Sequence, residues 1–249
     1  MRRHSTITDA LLLVAFLMAV SVPACKHDPI FSPVDPVDTM KMDTMFPVDT
    51  SAVCHPDTLY FRKDVLPIFR SSCGMELCHD AGTRSGGIEL TSYETIIASG
   101  KVDPFDPDGS KIYELMTETD LSEVMPPSPR GPISDNNIEV IRRWIEQGAL
   151  NLACPDDTTC IIDEPVSFST DVFPVIDKYC IGCHSGANPW AGLYLRSYAE
   201  IKLIADSGHL LGVINHAPGY PRMPKNIDKL SDCIIEKITL WVNDGAPNN

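Results

Sequence analysis

Apolar positions recur with helical spacing in two separate parts of the chain. Both segments follow an i, i+4, i+7 spacing, which predicts a helix with one buried face. Their apolar positions are Phe61, Val65, Ile68 and Phe69 in the first segment, and Phe168, Val172, Val175 and Ile176 in the second. Each segment also carries an Asp and a Pro that suit the first turn of a helix.

A second pair of amphipathic segments follows about seventy residues after each of these. Their apolar faces consist of Ile138, Ile141, Trp144 and Ile145 in one, and of Ile235, Ile238, Trp241 and Val242 in the other. Ser134 and Ser231 are suitable N-caps, and Gly148 and Gly245 stand where a glycine ends a helix. The chain between the two helices of each pair has turn residues and no long apolar period, which predicts loops. The predicted fold class is therefore all-α and loop-rich.

The two halves of the chain align with each other beyond these helices. The aligned pairs are Phe61–Ile68 with Phe168–Val175, Leu90 with Leu195, Ser92-Tyr93 with Ser197-Tyr198, Met125-Pro126 with Met223-Pro224, Ser134-Asp135 with Ser231-Asp232, Trp144 with Trp241, and Gly148-Ala149 with Gly245-Ala246. A repeat of this length indicates a duplicated structural unit. We therefore predict two domains, at residues 58–154 and 162–249, and call them the first and second repeat.

The N-terminal region resembles an export leader followed by a tether. A short basic start and an apolar run of about ten residues, too short to span a bilayer, indicate a signal peptide over residues 1–24. Ala24-Cys25 resembles the lipobox of bacterial lipoproteins, which implies that Cys25 is lipidated; an ordinary signal peptide with an incidental cysteine is the alternative. Residues 25–57 are rich in Pro and Asp without periodicity, and such a segment is predicted to be a disordered tether.

The most informative motif is Cys180-Ile-Gly-Cys183-His184 in the second repeat. Cys-x-x-Cys-His is the attachment signature of a c-type haem, in which both thiols bond to the porphyrin and the His ligates the iron. A redox dithiol, a zinc half-site and a structural disulfide are the alternatives. The motif therefore predicts Cys180 and Cys183 as covalent haem attachment sites and His184 as an axial ligand.

A related motif occupies the equivalent position of the first repeat. Cys73 and Cys78-His79 have four residues between the cysteines instead of two. Alone this motif would be a weak signal, but it lies inside the aligned repeat. It predicts a second c-type haem, attached through Cys73 and Cys78 and ligated by His79.

The arrangement of these features resembles the class I cytochrome c fold. The residues that carry the resemblance are the haem motif, a Met-Pro, a Leu/Ile-Ser-Asp start and a helix that ends Trp-Ile/Val before Gly-Ala, as in the cytochrome c-like domains of exported bacterial proteins. The resemblance covers both repeats and implies two tandem class I cytochrome c-like domains. It also implies that Met125 and Met223 are the distal ligands of the two haem irons.

The residues themselves leave other candidates for the distal ligand of each haem. Two His ligands in the first repeat would require His55, and Met116 is the next candidate after Met125. In the second repeat His209 and His216 precede Met223 and compete with it. A Met/His pair raises the haem potential and fills the sixth position of the iron, which favours electron transfer over bond-making chemistry.

Four further cysteines are predicted to form disulfides. Cys54, Cys154, Cys160 and Cys233 allow three pairings. Cys54 precedes the first repeat and Cys154 follows it, whereas Cys160 precedes the second repeat and Cys233 lies in its last helix. We favour Cys54–Cys154 and Cys160–Cys233, one bond for each repeat.

The charge balance narrows the possible partners. The formal net charge is −14 at pH 7, which disfavours nucleic acid. It fits a redox protein with a basic face, because opposite charges speed encounter. The sequence thus predicts an exported dihaem electron carrier in the periplasm or on the outer membrane, lipid-anchored, with no catalytic residue. The alternatives are a dihaem peroxidase or small-molecule oxidase with an open haem in the second repeat, and a zinc-binding module.

Overall fold

The computed structural model describes residues 54–154 and 160–249. The predicted signal peptide, Cys25 and the tether up to residue 53 lie outside the described residues. Within the described ranges the regular structure is helical and there are no β-strands, so this part of the chain is all-α as predicted. No helix in these ranges is long and apolar enough to cross a membrane.

The first repeat contains four α-helices and two shorter turns. A π-helical turn, Phe61–Val65, continues into α1, Leu66–Ser72, and is followed by a 3₁₀ turn, Ser85–Gly87, and by α2, Tyr93–Ala98, α3, Lys111–Thr117, and α4, Asp135–Glu146. Pro67 stands in the first turn of α1, directly after the π-helical turn. The Ser134 hydroxyl accepts from the Asn137 N–H and caps α4 as predicted.

The second repeat follows the same order, with one additional π-helical turn. Its π-helical turn Phe168–Val172 leads into α5, Phe173–Ile176, and then come a second π-helical turn, Asp177–Ile181, a 3₁₀ turn, Trp190–Gly192, and α6, Tyr198–Asp206, α7, His209–Ile214, and α8, Asp232–Asn243. Ser231 caps α8 by accepting from the Ile234 N–H. Gly148 and Gly245, with φ of 94° and 86°, adopt the left-handed conformation that ends α4 and α8.

The predicted loops between the helices of each repeat are only partly loops. Short helices α2 and α3 occupy this region of the first repeat, and α6 and α7 occupy it in the second. They have six to nine residues, which is too short for an apolar period to be recognised in a sequence. Ser92 and Ser197, which cap α2 and α6, were the local signal that could have revealed two of them.

Each repeat has its own apolar core built from equivalent contacts. In the first, the ring centroids of Phe61 and Trp144 are 5.5 Å apart, and those of Phe61 and Tyr93 are 5.1 Å apart. In the second, Phe168 packs in the same way on Trp241 at 5.6 Å and on Tyr198 at 5.1 Å. Both tyrosine hydroxyls donate to a backbone carbonyl, Tyr93 to Ala149 O and Tyr198 to Ala246 O.

A disulfide closes each repeat. The structure joins Cys54 to Cys154 and Cys160 to Cys233, which leaves the two motifs with free thiols. A cross-link restricts the unfolded chain, which matters for units of fewer than a hundred residues with small cores.

The two repeats also pack directly against each other. Helix α1 of the first lies on the π-helical turn Asp177–Ile181 of the second. The Ser71 hydroxyl donates to Lys178 O over 2.8 Å, and the Ser134 hydroxyl donates to the Asp177 carboxylate over 2.6 Å. Ser71 and Asp177 are almost fully buried. This interface places the Cys180–His184 motif of the second repeat against the helix that precedes the motif of the first.

Candidate functional site

The motif of the second repeat begins where a helical segment ends. Cys180 lies in the turn Asp177–Ile181, and its carbonyl accepts from the N–H groups of Cys183 and His184 over 3.2 and 3.0 Å. This turn brings the three residues close together. Cys180, Cys183 and His184 line one cavity.

The His184 ring is held through one of its two nitrogens. Its Nδ1 lies 3.3 Å from Leu193 O, and because a carbonyl only accepts, Nδ1 carries the proton and Nε2 keeps a free lone pair. The Leu195 N–H donates to His184 O over 3.0 Å and fixes the backbone as well. Burial lowers the pKa of His184, which favours the neutral ring that can ligate a metal.

The cavity of the second repeat has a volume of about 680 Å³. This falls within the range of about 300–1,000 Å³ that is typical of cofactor pockets. Besides the motif, its lining includes Met223 and Pro224 and the aliphatic side chains of Leu193, Leu195, Leu210, Val213, Ile214 and Leu230. Two thiols, an imidazole with a free Nε2 and a thioether around an apolar cavity fit a covalently attached haem.

Two hydrogen bonds fix the backbone of Met223, one at its N–H and one at its carbonyl. Its N–H donates to Val213 O over 3.1 Å, and its carbonyl lies 3.0 Å from His216 Nε2, which must therefore be the protonated nitrogen of that ring. His216, one of the competing distal candidates, thus binds the Met223 backbone. His209, the other, is exposed at the cavity edge, where its Nδ1 lies 3.2 Å from the Ser207 hydroxyl.

His79, in the motif of the first repeat, makes the same hydrogen bonds as His184 although the spacer between its cysteines is longer. The His79 N–H donates to Cys73 O over 3.2 Å, as His184 does to Cys180 O. His79 Nδ1 lies 3.2 Å from Ile88 O, and the Leu90 N–H donates to His79 O over 2.9 Å. The two additional residues are therefore accommodated between the cysteines without displacing the histidine.

The distal candidates of the first repeat differ in their surroundings. Met125 is 38% exposed, and its N–H donates to Leu115 O, which matches the bond from Met223 to Val213. Met116 is 6% exposed and belongs to the apolar core. His55 is outside the core, with its Nδ1 accepting from the Asp57 N–H. The equivalent backbone bond favours Met125 among the three.

The pKa values of the motif thiols argue against a redox-active dithiol, and the grouping of the side chains argues against a zinc site. Burial raises the pKa of Cys73 and of Cys180 to about 12 and that of Cys183 to about 11, whereas a redox-active dithiol needs a lowered thiol pKa. Among residues 54–154 and 160–249, no three His, Cys, Asp or Glu side chains are grouped to hold a metal ion. A haem iron needs only two protein ligands, since the porphyrin supplies four.

The sequence did not reveal that the first repeat contributes to the cavity of the second, and Met75 is the clearest case. Met75, from the spacer between Cys73 and Cys78, is 4% exposed and lines the cavity of the second repeat. The only signal was the unusual length of that spacer, and nothing in the sequence indicated that it faces the other repeat.

The chain resembles a known family over part of the first repeat. The family described as Planctomycete cytochrome C matches residues 77–129, a segment that includes Cys78, His79 and Met125. No curated protein and no solved structure matches the chain. The family match supports a cytochrome c-like domain in the first repeat.

Proposed function

We propose that the protein is a dihaem c-type cytochrome that carries electrons at the bacterial cell envelope. The observation that supports this best is the cavity of the second repeat, which Cys180, Cys183, His184 and Met223 all line. The equivalent hydrogen bonds around His79 and the family match over residues 77–129 extend the proposal to a haem in the first repeat.

Each residue has a defined role in this proposal. The paired cysteines bind the haem covalently, and His79 and His184 ligate the iron through Nε2 because Nδ1 is already bonded to a carbonyl. Met125 and Met223 supply the sixth ligands. A bound haem supplies an iron that changes between the ferrous and ferric states, and a thioether ligand favours the ferrous state.

The carrier interpretation is preferred over a peroxidase or oxidase because of the position of His216. An enzyme needs an open iron with a polar group nearby, and His216 instead bonds to the backbone of the proposed ligand Met223. His209 does line the cavity, so it is the residue on which the enzyme alternative depends.

Replacement of the distal ligands separates the two functions. Met125→Ala and Met223→Ala should each open one iron, because His79 or His184 and the thioethers remain. We expect each variant to lose part of the far-red absorption band of Met-ligated ferric haem. The redox midpoint potential of that haem should fall, and the haem should begin to bind carbon monoxide. His209→Ala is the matched control and should leave the spectrum unchanged.

Other results would contradict the carrier function. Wild-type protein that binds carbon monoxide readily or turns over peroxide has an open iron, which favours the enzyme. A second haem that responds to His209→Ala or His216→Ala but not to Met223→Ala does not have Met223 as its distal ligand.

We further propose that the protein is exported and held at a membrane through a lipid on Cys25. The Ala24-Cys25 junction and the following Pro- and Asp-rich segment support this. Cys25→Ser should move the protein from the membrane to the soluble fraction, and wild-type protein that is already soluble would contradict the anchor. The negative charge fits a redox partner with a basic face.

A further inference from the structure

We propose that the first repeat completes the haem pocket of the second. The residues responsible are Gly74, Met75 and Glu76, which line the cavity and belong to the four-residue spacer between the cysteines of the first motif, and Met75 is the side chain that closes the pocket. This inference rests on the proposed function, since it requires that Cys180 and Cys183 hold a haem.

Met75 contacts the attachment site of the other repeat directly. Its Sδ lies 3.3 Å from Cys183 Sγ, and the side chain is almost fully buried. Met75 and Cys183 both line the 680 Å³ cavity. A haem bonded to Cys183 would therefore have the Met75 thioether beside its point of attachment.

The spacer that carries Met75 is fixed at both ends. The Gly74 N–H donates to Phe69 O over 2.7 Å, and the Cys78 N–H donates to Met75 O over 3.1 Å. Gly74 is required here, because a Cβ at this position would come within 2.8 Å of Leu90 O. Met75 is thus held in position by the backbone of the first repeat.

A second residue of the spacer reaches the distal side of the same pocket. Glu76 lies 3.2 Å from Lys225 Nζ, and Asn226 Nδ2 donates to it over 3.4 Å. Lys225 and Asn226 directly follow Met223-Pro224. The Glu76 and Lys225 side chains are each about half exposed, so this pair contributes little energy, but it shows that the spacer spans the pocket from Cys183 to the distal segment.

This interpretation explains why the spacer of the first motif has four residues and not two. The equivalent residues of the second motif are Ile181 and Gly182, and Gly182 is pressed against the Ser71 backbone with no room for a Cβ. The two additional residues of the first motif lengthen the loop towards the second repeat, while the bond from His79 N–H to Cys73 O is kept.

A pocket closed by Met75 makes the redox midpoint potential of the second haem depend on the first repeat. An apolar shell that excludes water disfavours the more highly charged ferric state, so its removal lowers the midpoint. Met75→Ala should admit water, and Met75→Gln should place a polar group of similar length in the wall. Met75→Leu keeps the volume and the apolar character.

The test is a redox titration of the holoprotein with the two haems resolved. Met125→Ala and Met223→Ala identify which midpoint belongs to which haem. We expect Met75→Ala and Met75→Gln to lower the second-haem midpoint while leaving the first nearly unchanged, and Met75→Leu to restore the wild-type value. Leu77→Ala is the matched control, since Leu77 belongs to the same spacer but is 81% exposed.

The outcomes separate this inference from the proposed function. Peptide mapping that finds no haem on Cys180 and Cys183 overturns the proposed function, and this inference with it. A second haem that is attached, with a midpoint unaffected by Met75→Ala and Met75→Gln, overturns the inference alone. A shift confined to the first haem does the same, because the spacer then serves only its own motif.

Discussion

Each motif histidine is held through Nδ1, so that its Nε2 is the nitrogen left for a metal. The bonds to Ile88 O and Leu193 O are almost equal in length, at 3.2 and 3.3 Å. Such partners fix the ring orientation and make the ligand more basic. The sequence predicted both histidines from the motifs, but it could not predict the carbonyls, which lie nine residues further along the chain.

The first prediction concerns His216, which bonds to the carbonyl of Met223. His216→Ala removes one hydrogen bond, worth about 0.5–1.5 kcal/mol, and should loosen Met223. Imidazole should then displace the distal ligand of the haem proposed for the second repeat about two- to tenfold more readily, measured by spectral titration.

A conservative variant tests the cause of this effect. His216 has a φ of 57°, and Asn tolerates this conformation and can donate to a carbonyl. His216→Asn should therefore recover part of the wild-type resistance to imidazole. Equal effects of His216→Ala and His209→Ala would contradict a specific role for His216.

At the scale of elements, the sequence predicted the long helices better than the short ones. The faces of α4 and α8, with their serine caps, follow from periodicity and capping rules. The π-helical turns Phe61–Val65 and Phe168–Val172 were predicted only as helix, because the same apolar spacing fits both geometries. The short helices were missed because packing, and not local pattern, stabilises segments of that length.

The two capping serines provide a matched pair for the second prediction. Ser231→Ala should cost about 1 kcal/mol of stability through loss of the cap. Ser134→Ala should cost about 1–3 kcal/mol more, because it also removes the donor to the buried Asp177 carboxylate. Denaturant unfolding of the two variants at pH 7 measures the difference, and equal losses would show that the Ser134–Asp177 bond contributes nothing.

The pH dependence of this pair follows from the buried carboxyl. Burial raises the pKa of Asp177 above its usual value, although Ser134 and Lys178 oppose the shift. The folded protein therefore binds a proton at Asp177 more readily than the unfolded chain does, and the contribution of Asp177 to stability falls as the pH rises through the range above 3.8. The additional loss in Ser134→Ala should accordingly be smaller at acidic pH than at pH 7.

At the scale of the whole molecule, the contact between the repeats is the feature that the sequence did not reveal. Periodicity identifies which residues are buried in a helix, but not which surface of another domain covers a serine or a glycine. Ser71, Asn137 and Asp177 are polar and almost fully buried, and Asn137 Nδ2 donates to Asp177 O across the interface. Buried polar groups that satisfy each other define one relative position of the two repeats.

The third prediction tests this interface through Gly182. A Cβ on Gly182 would overlap the Ser71 carbonyl, so Gly182→Ala should force the repeats apart and cost about 1–3 kcal/mol. We expect the thermal transition of the holoprotein to broaden or split, while each haem stays attached. Gly82→Ala is the control, because the nearest atom to its Cβ is a carboxylate oxygen of the Asp80 side chain at 3.1 Å and no backbone atom is in the way. An unchanged transition in Gly182→Ala would contradict the close packing.

The central claim, that both repeats hold a covalent haem, is tested most directly by the intact mass of the protein. The chain should be produced in a host with competent c-type haem maturation and measured under denaturing conditions, where only covalent haem is retained. We expect the polypeptide mass plus two haems, with one haem on the peptide containing Cys73 and Cys78 and one on the peptide containing Cys180 and Cys183. A mass with a single haem would contradict the dihaem assignment, and a mass without haem would contradict the account as a whole.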